Sequence, residues 1–189
     1  LVGGATGDLM GMRRVFILGT IGFGVASVLC GIAPTMLALI AARMVQGASA
    51  ALMVPTSLAL LNAVFAGDDR GKAIGAWSGL SGVFTALGPF VGGVLVDAFP
   101  AGWRLAFLIN IPLAVAGVWL ALRFIPDLPG ISGRRLDWPG AIVATVGLAL
   151  VVGPLIEGGR PWLVVLGAVL LGIFLLLERR DADVMLPLE

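Results

Sequence analysis

The sequence has no histidine, one cysteine and few charged residues. Without histidine, the chain lacks the commonest metal ligand and general base of proteins. Cys30 is the single cysteine, so no intrachain disulfide can form and a small packing role is favoured. Charged residues make up 12% of the chain, whereas soluble domains carry about 25%. These shortages argue against an enzyme and against a bound metal or cofactor.

Long apolar runs make up most of the sequence. Hydrophobic residues make up 59% of the chain and the mean hydropathy is +1.08. Six runs without acidic residues cover 15–33, 36–65, 73–96, 105–122, 139–156 and 163–177. A membrane-spanning helix needs about 17–25 residues, whereas barrel strands are shorter and alternate polar with apolar side chains. The sequence therefore predicts an all-α fold, a polytopic transmembrane helix bundle with six full spanning helices, and the lipid bilayer as its surroundings.

The basic residues are distributed unequally between the two sides of the predicted bundle. Nine of the twelve lie in alternate gaps between the runs: Arg13, Arg14, Arg70, Lys72, Arg123, Arg134, Arg135, Arg179 and Arg180. This is the positive-inside pattern, and it predicts a protein of the cell membrane with residues 1–14 on the cytoplasmic side. The pI of 8.2 follows from this topology, so no nucleic-acid partner is expected.

The ends of the sequence resemble the interior of a longer chain. No initiator methionine or signal peptide is present, and residues 1–7 read like the last turns of a helix. We expect residues 1–126 to hold this stub and four spans of an N-terminal bundle, and 127–136 to form a cytoplasmic linker. Residues 137–180 would form an extra pair of spans, and 181–189 would begin a linker to a second half.

The first predicted loop combines glycines, an acid and two arginines at a helix end. Its distinctive residues are Gly4, Asp8, Gly11, Arg13 and Arg14. Glycine permits a positive φ and a close approach of backbones, and charged side chains can pair with one another or with a helix terminus. Two interpretations fit the pattern: a turn whose charges only set topology, and a salt-bridged latch that opens and closes.

One permanent cation interrupts the second run. Arg43 is followed by Gln46 and Gly47, and it lies about 10 Å along a helix from Met36. A charge at this depth costs at least ~2.5 kcal/mol, so it should face a bundle interior or a wet cavity. Snorkelling to the surface is the alternative. On the functional interpretation, Arg43 lines a transport pathway and biases the charge state of a nearby proton carrier.

Two further groups are candidates for function. Gly88, Pro89, Gly92 and Gly93 in the third run suit either close helix packing or a hinge between moving bundles. The second group stands at the start of the fourth run and favours an interfacial anchor over a ligand contact. It consists of Trp103, Arg104, Asn110 and Pro112.

Three of these patterns, in this order, resemble signatures of one transporter family. The first-loop residues resemble the loop signature of the major facilitator superfamily. The Arg43, Gln46 and Gly47 pattern resembles its fourth-span signature, and the glycine–proline pattern at 88–93 resembles its fifth-span antiporter signature. Together with segments 65–77 and 103–112, they are similar to the fourteen-helix drug:proton antiporter branch. The resemblance covers nearly the whole chain, from the end of span two to span eight.

The resemblance implies a secondary active transporter that exports drugs or other small amphipathic molecules in exchange for protons, by alternating access. The first-loop residues would form a cytoplasmic gating latch, Arg43 with Gln46 and Gly47 would couple substrate to proton movement, and the glycine–proline group would keep the pathway tight. The proton gradient would supply the energy without a cofactor. The resemblance leaves undecided whether a periplasmic adaptor protein is a further partner. Export of a metabolite, lipid or siderophore, and a non-transport assembly role, are the alternatives.

Overall fold

The computed structural model describes residues 6–7, 9–98, 100–127, 138–158 and 160–178. These residues form helices and no strand, so the predicted all-α fold is confirmed. The helices are α1 Met12–Ile32, α2 Met36–Val64, α3 Gly67–Ala98, α4 Gly102–Leu108, α5 Asn110–Phe124, α6 Trp138–Glu157 and α7 Pro161–Glu178.

The starts of α1 and α2 follow from their flanking residues. Gly11 precedes α1 with φ 93°, a conformation that favours glycine. Residues 6–7 and 9–10 are helical too, so Gly11 interrupts the helical backbone just before α1. Thr35 precedes α2, and its Oγ1 accepts a hydrogen bond from the Ala38 N–H at 3.2 Å. This side-chain cap satisfies one of the free amides at the start of the helix.

Helix α3 begins earlier than its apolar run. Arg70 and Lys72 were expected between two helices, but both lie in the first two turns of α3. Asp68 and Asp69 occupy the first turn, where a carboxylate interacts favourably with the positive end of the helix dipole. The apolar run of the sequence marks the part suited to lipid, and the helix itself continues beyond it.

The fourth apolar run is divided at Ile109. Pro112 has no N–H to donate to the carbonyl of Leu108, and the break between α4 and α5 follows from this missing bond. Ile109 keeps αR geometry, and its N–H donates to the Leu105 carbonyl at 3.0 Å. The two helices therefore act as one apolar segment of 23 residues, Gly102–Phe124.

Four helical segments of the described chain are long and apolar enough to cross a membrane: Met12–Ile32, Met36–Val64, Gly67–Ala98 and Gly102–Phe124. The other two of the six predicted spans are α6 and α7, with 20 and 18 residues. Their apolar parts, Ile142–Ile156 and Pro161–Leu175, are shorter. The chain is thus a membrane-type helical bundle.

Glycines bring α1 close to α2. A Cβ at Gly19 would lie 3.1 Å from both the Met53 nitrogen and the Ser49 oxygen, and a Cβ at Gly22 would lie 2.7 Å from the Ser49 Oγ. Small residues allow such backbone approach, on which helix association in lipid depends. Helix α1 also packs against α4 and α5, so it forms the centre of this group.

The remaining helices lie outside that centre. Helices α6 and α7 pack against each other, and a Cβ at Gly167 would lie 2.7 Å from the carbonyl oxygen of Gly147. Helix α3 touches α4 and α2 but contains no buried residue. Its long exposed surface therefore belongs to the periphery of the described bundle.

Candidate functional site

A chain of polar side chains crosses the contact between α1 and α2. Arg43 Nη1 donates to Gln46 Oε1 at 2.6 Å, and Gln46 Nε2 donates to Ser27 Oγ at 2.7 Å. The Ser27 hydroxyl in turn donates to the carbonyl of Phe23 at 2.8 Å. Gln46 is 2% exposed and Ser27 is fully buried. The buried polar groups are satisfied, as a low-dielectric interior requires.

Helical spacing explains this arrangement. Arg43 and Gln46 are three residues apart on α2, so their side chains lie on the same face. Ser27 and Cys30 have the same spacing on α1, and the Cys30 Sγ lies 3.9 Å from Gln46 Oε1. Each end of the Gln46 carboxamide is used, since its oxygen accepts from the cation and its nitrogen donates to the serine. Gln46 thus links an arginine to the helix contact.

The guanidinium of Arg43 is also held by an aromatic ring. Its Cζ lies 5.6 Å from the ring centroid of Phe107 on α4, within cation–π distance. The guanidinium therefore has two partners, the carboxamide of Gln46 on its own helix and the ring of Phe107 on α4. Arg43 itself is exposed on the described bundle, and Gly47 beside it has open space where a Cβ would stand.

The arginines of the first loop join the start of α1 to the end of α5. Arg13 Nη2 donates to the Leu122 carbonyl at 2.6 Å, and Arg14 Nη2 lies 3.4 Å from Asp127 Oδ2. The last carbonyls of a helix have no partner within it and carry partial negative charge, so a guanidinium is favoured there. Gly4 and Asp8 of the predicted latch lie outside the described residues.

Two further arginines occupy helix ends in the same way. Arg104 donates from Nη1 to the Gly31 carbonyl at 2.8 Å and from Nη2 to the Ala33 carbonyl at 3.0 Å, and it lies 4.7 Å from the Trp103 ring. It therefore connects the start of α4 to the end of α1. The other is Arg70, which donates to the carbonyls at 62 and 65 at the end of α2.

The other predicted residues are not brought to the polar chain. Helix α3 runs without interruption through Pro89, and Cβ atoms at Gly88, Gly92 or Gly93 would meet open space within the described chain. Asn110 and Pro112 form the first turn of α5, at the break that follows Ile109.

Three members of the site were not singled out from the sequence as functional residues. Ser27 and Phe107 lie on neighbouring helices, and only helix packing brings them to Gln46 and Arg43. Cys30 was assigned a packing role, and it is fully buried beside Gln46. The spacing of Ser27 and Cys30 on one face of α1 is a signal, but it does not identify the facing helix.

Comparison with known proteins gives relatives over most of the chain. It is 41% identical to the probable actinorhodin transporter of Streptomyces coelicolor over 86% of this chain and 28% of that protein. It is 38% identical to the puromycin resistance protein pur8 of Streptomyces alboniger, over 99% of this chain and 38% of the relative. Identity to the multidrug resistance protein Stp of Mycobacterium tuberculosis is 35%, over 96% of this chain and 35% of the relative.

The chain spans roughly a third of the length of these relatives, between 28% and 38%. The family model described as Major Facilitator Superfamily matches residues 1–176, which include all the contacts described above. The helical bundle and its apolar spans agree with that family. On this match, and on relatives that are 35–41% identical over the aligned residues, the chain belongs to the Major Facilitator Superfamily.

Proposed function

We propose that this chain is part of a secondary active transporter of the cell membrane that exports drugs or other small amphipathic molecules in exchange for protons. The proposal rests on the link from Arg43 through Gln46 to Ser27, which ties a membrane-embedded cation to a helix contact. The names of the relatives, which include antibiotic and multidrug resistance proteins, support the substrate class.

The proposed mechanism is alternating access, in which two bundles rock about a site near the middle of the bilayer. Arg43 would hold its guanidinium beside the pathway, where its charge lowers the proton affinity of an acid that approaches it. The acids of the four long apolar spans are Asp68, Asp69 and Asp97, which stand only at the two ends of α3, so the acid would come from another part of the full-length protein. The proton gradient would drive the exchange, without a bound cofactor.

The arginine contacts at the ends of the helices support a gating role for the first loop. Arg13 and Arg14 hold the start of α1 against the end of α5. In the proposed orientation this end faces the cytoplasm, as the positive-inside pattern predicts. Loss of these contacts in one facing state would release the two helix ends. The α6–α7 pair, which packs on itself, would be the extra pair of spans between two bundles.

The test is transport by the full-length protein in inverted vesicles, with a panel of antibiotics and cationic dyes and an imposed proton gradient. We expect Arg43→Ala to abolish proton-driven efflux while the protein still inserts. Arg160→Ala is the matched control, because that arginine is exposed between α6 and α7 and makes no contact with the polar chain.

Undiminished proton-driven efflux by the Arg43→Ala protein would remove Arg43 from the mechanism. Transport of metabolites but none of the drugs would replace the proposed substrate class. A complete lack of substrate-dependent proton movement in the unmodified protein would contradict the transport proposal and favour an assembly role.

A further inference from the structure

An apolar groove runs between α1 and α5 on an exposed face of the described bundle. Its volume is about 460 Å³, and every residue that lines it is apolar. Gly24 and Ala114 form its floor, since a Cβ at Gly24 would lie only 3.0 Å from the Ala114 Cβ. Larger side chains, among them Ile21, Val118 and Trp119, form its walls. Small residues at the floor and large ones beside it give the groove its depth.

The length of the groove matches one leaflet of a bilayer. On α5 it extends from Ile111 to Leu122, twelve residues whose ends are about 16 Å apart at a rise of 1.5 Å per residue. The hydrocarbon core of a membrane is about 30 Å thick, so one leaflet contributes about 15 Å. Helix α5 ends at Phe124, just beyond Leu122. On α5 the groove therefore occupies the half of the span next to the end that carries Arg13 and Arg14, and on α1 it extends from Ile21 to Val28.

Cations stand at that end of the groove. Arg14 precedes Ile21 by seven residues, which places both on the same face of α1. Its side chain is 69% exposed and lies 3.4 Å from Asp127, itself 53% exposed, a weak type of ion pair. Arg123 follows Leu122 directly and is also exposed. A negatively charged group at this end of the groove would meet the Arg14 guanidinium outside the apolar region.

We propose that this groove binds an acyl chain of an anionic phospholipid, with the lipid phosphate at Arg14. The apolar walls suit an acyl chain, the length of the groove on α5 suits one leaflet, and the positive charge at its end suits the phosphate. The phosphate competes with Asp127 for the same guanidinium, because both are anions at one donor group. The site is independent of the transport proposal, since it needs no movement of substrate.

The position of Trp119 in the groove provides the measurement. Trp119 is 62% exposed, and Trp162 on α7 is 58% exposed but lies outside the groove. Full-length protein that keeps one of these as its single tryptophan is reconstituted into phosphatidylcholine vesicles. A small fraction of the lipid is brominated on its acyl chains, as either phosphatidylglycerol or phosphatidylcholine. Bromine quenches tryptophan fluorescence on contact, so quenching reports the lipid beside each ring.

We expect brominated phosphatidylglycerol to associate with Trp119 roughly fivefold more strongly than brominated phosphatidylcholine, the ratio that one basic residue near a membrane surface supplies. Trp162 should show no such preference. Arg14→Gln should remove the preference, and Asp127→Asn should increase it because the competing carboxylate is lost. Lys72→Gln is the matched control, since Lys72 is also exposed and paired with an acid, Asp69, at 3.0 Å.

Equal quenching of Trp119 by the two lipids in the unmodified protein would overturn the proposal. So would a preference that survives Arg14→Gln or disappears in Lys72→Gln. If neither lipid quenches Trp119, another segment of the full-length protein or a second copy covers the groove, and the lipid site is excluded.

Discussion

Gln46 donates a hydrogen bond to Ser27 across 2.7 Å, and both side chains are buried between α1 and α2. Through this bond, Gln46 connects Arg43 on α2 to the neighbouring helix α1. The other end of the Gln46 carboxamide accepts from Arg43, so one side chain joins Ser27 to the guanidinium.

Ser27→Ala should weaken the contact between α1 and α2. The substitution leaves a buried Gln46 donor without its partner, which costs ~0.6–1.7 kcal/mol for hydrogen bonds inside membrane proteins. The measurement is the denaturant midpoint of the full-length protein in mild detergent. Ser57→Ala is the control, because the bond of Ser57 among the described residues goes to the Val54 carbonyl of its own helix. An equal decrease of the denaturant midpoint in the two variants would show that the interhelical hydrogen bond adds no stability beyond that of a bond within one helix.

Gly19→Val should destabilise the bundle by about 1–3 kcal/mol, the typical result of overpacking. Its Cβ would lie 3.1 Å from two backbone atoms of α2, and backbone cannot move aside as a flexible side chain does. Gly172→Val on α7 is the control, since a Cβ there meets nothing within 4 Å. Thermal unfolding of both variants checks the prediction, which fails if Gly19→Val unfolds at the temperature of the control.

Arg104→Gln should loosen the end of α1. The arginine donates to the carbonyls of Gly31 and Ala33, and loss of a charge-assisted hydrogen bond costs about 1.5–3 kcal/mol. Hydrogen exchange of the amides near the end of α1 should accelerate. Exchange in Arg160→Gln, whose arginine is exposed elsewhere, should match that of the unmodified protein. Unchanged protection in Arg104→Gln would mean that the cap contributes nothing to local stability.

Cys30 should report the integrity of the polar chain. The thiol is fully buried, so a maleimide that crosses membranes should label it slowly in full-length protein that keeps no other cysteine. Gln46→Ala removes a neighbouring side chain 3.9 Å from the sulfur and should raise the labelling rate about tenfold, which corresponds to ~1.4 kcal/mol easier opening. Asn62→Ala, at an exposed position of α2, should leave the rate unchanged. Labelling that is fast before any substitution would contradict the buried position.

The sequence predicted the helices well because each apolar run is long and continuous. The prediction was less good at the helix ends: α3 begins at Gly67, outside its run, and a proline divides the fourth run at Ile109. Apolar runs report contact with lipid, whereas helix ends depend on caps and on missing backbone donors. These local features are visible in a sequence, but they carry a weaker signal than hydropathy.

The candidate site was predicted only in part, for a physical reason. Arg43 and Gln46 stand out because a charge and an amide are costly in lipid. Ser27 and Phe107 do not stand out, since serine and phenylalanine are ordinary in spanning helices. The role of Ser27 depends on the distance between α1 and α2, which the small residues Gly19 and Gly22 set, and no periodicity within one helix reveals a partner on another.

The arginines at the ends of α1, α2 and α5 have one more consequence. Arg13 and Arg70 belong to the set of charges that direct a membrane protein's orientation during insertion, yet in the finished fold each serves as a donor to carbonyls at a helix end. A lysine at either position would preserve the insertion signal but lose the planar, multi-donor group. Such a variant would insert into the bilayer in the correct orientation, but its contact with the carbonyls at the neighbouring helix end would be weaker.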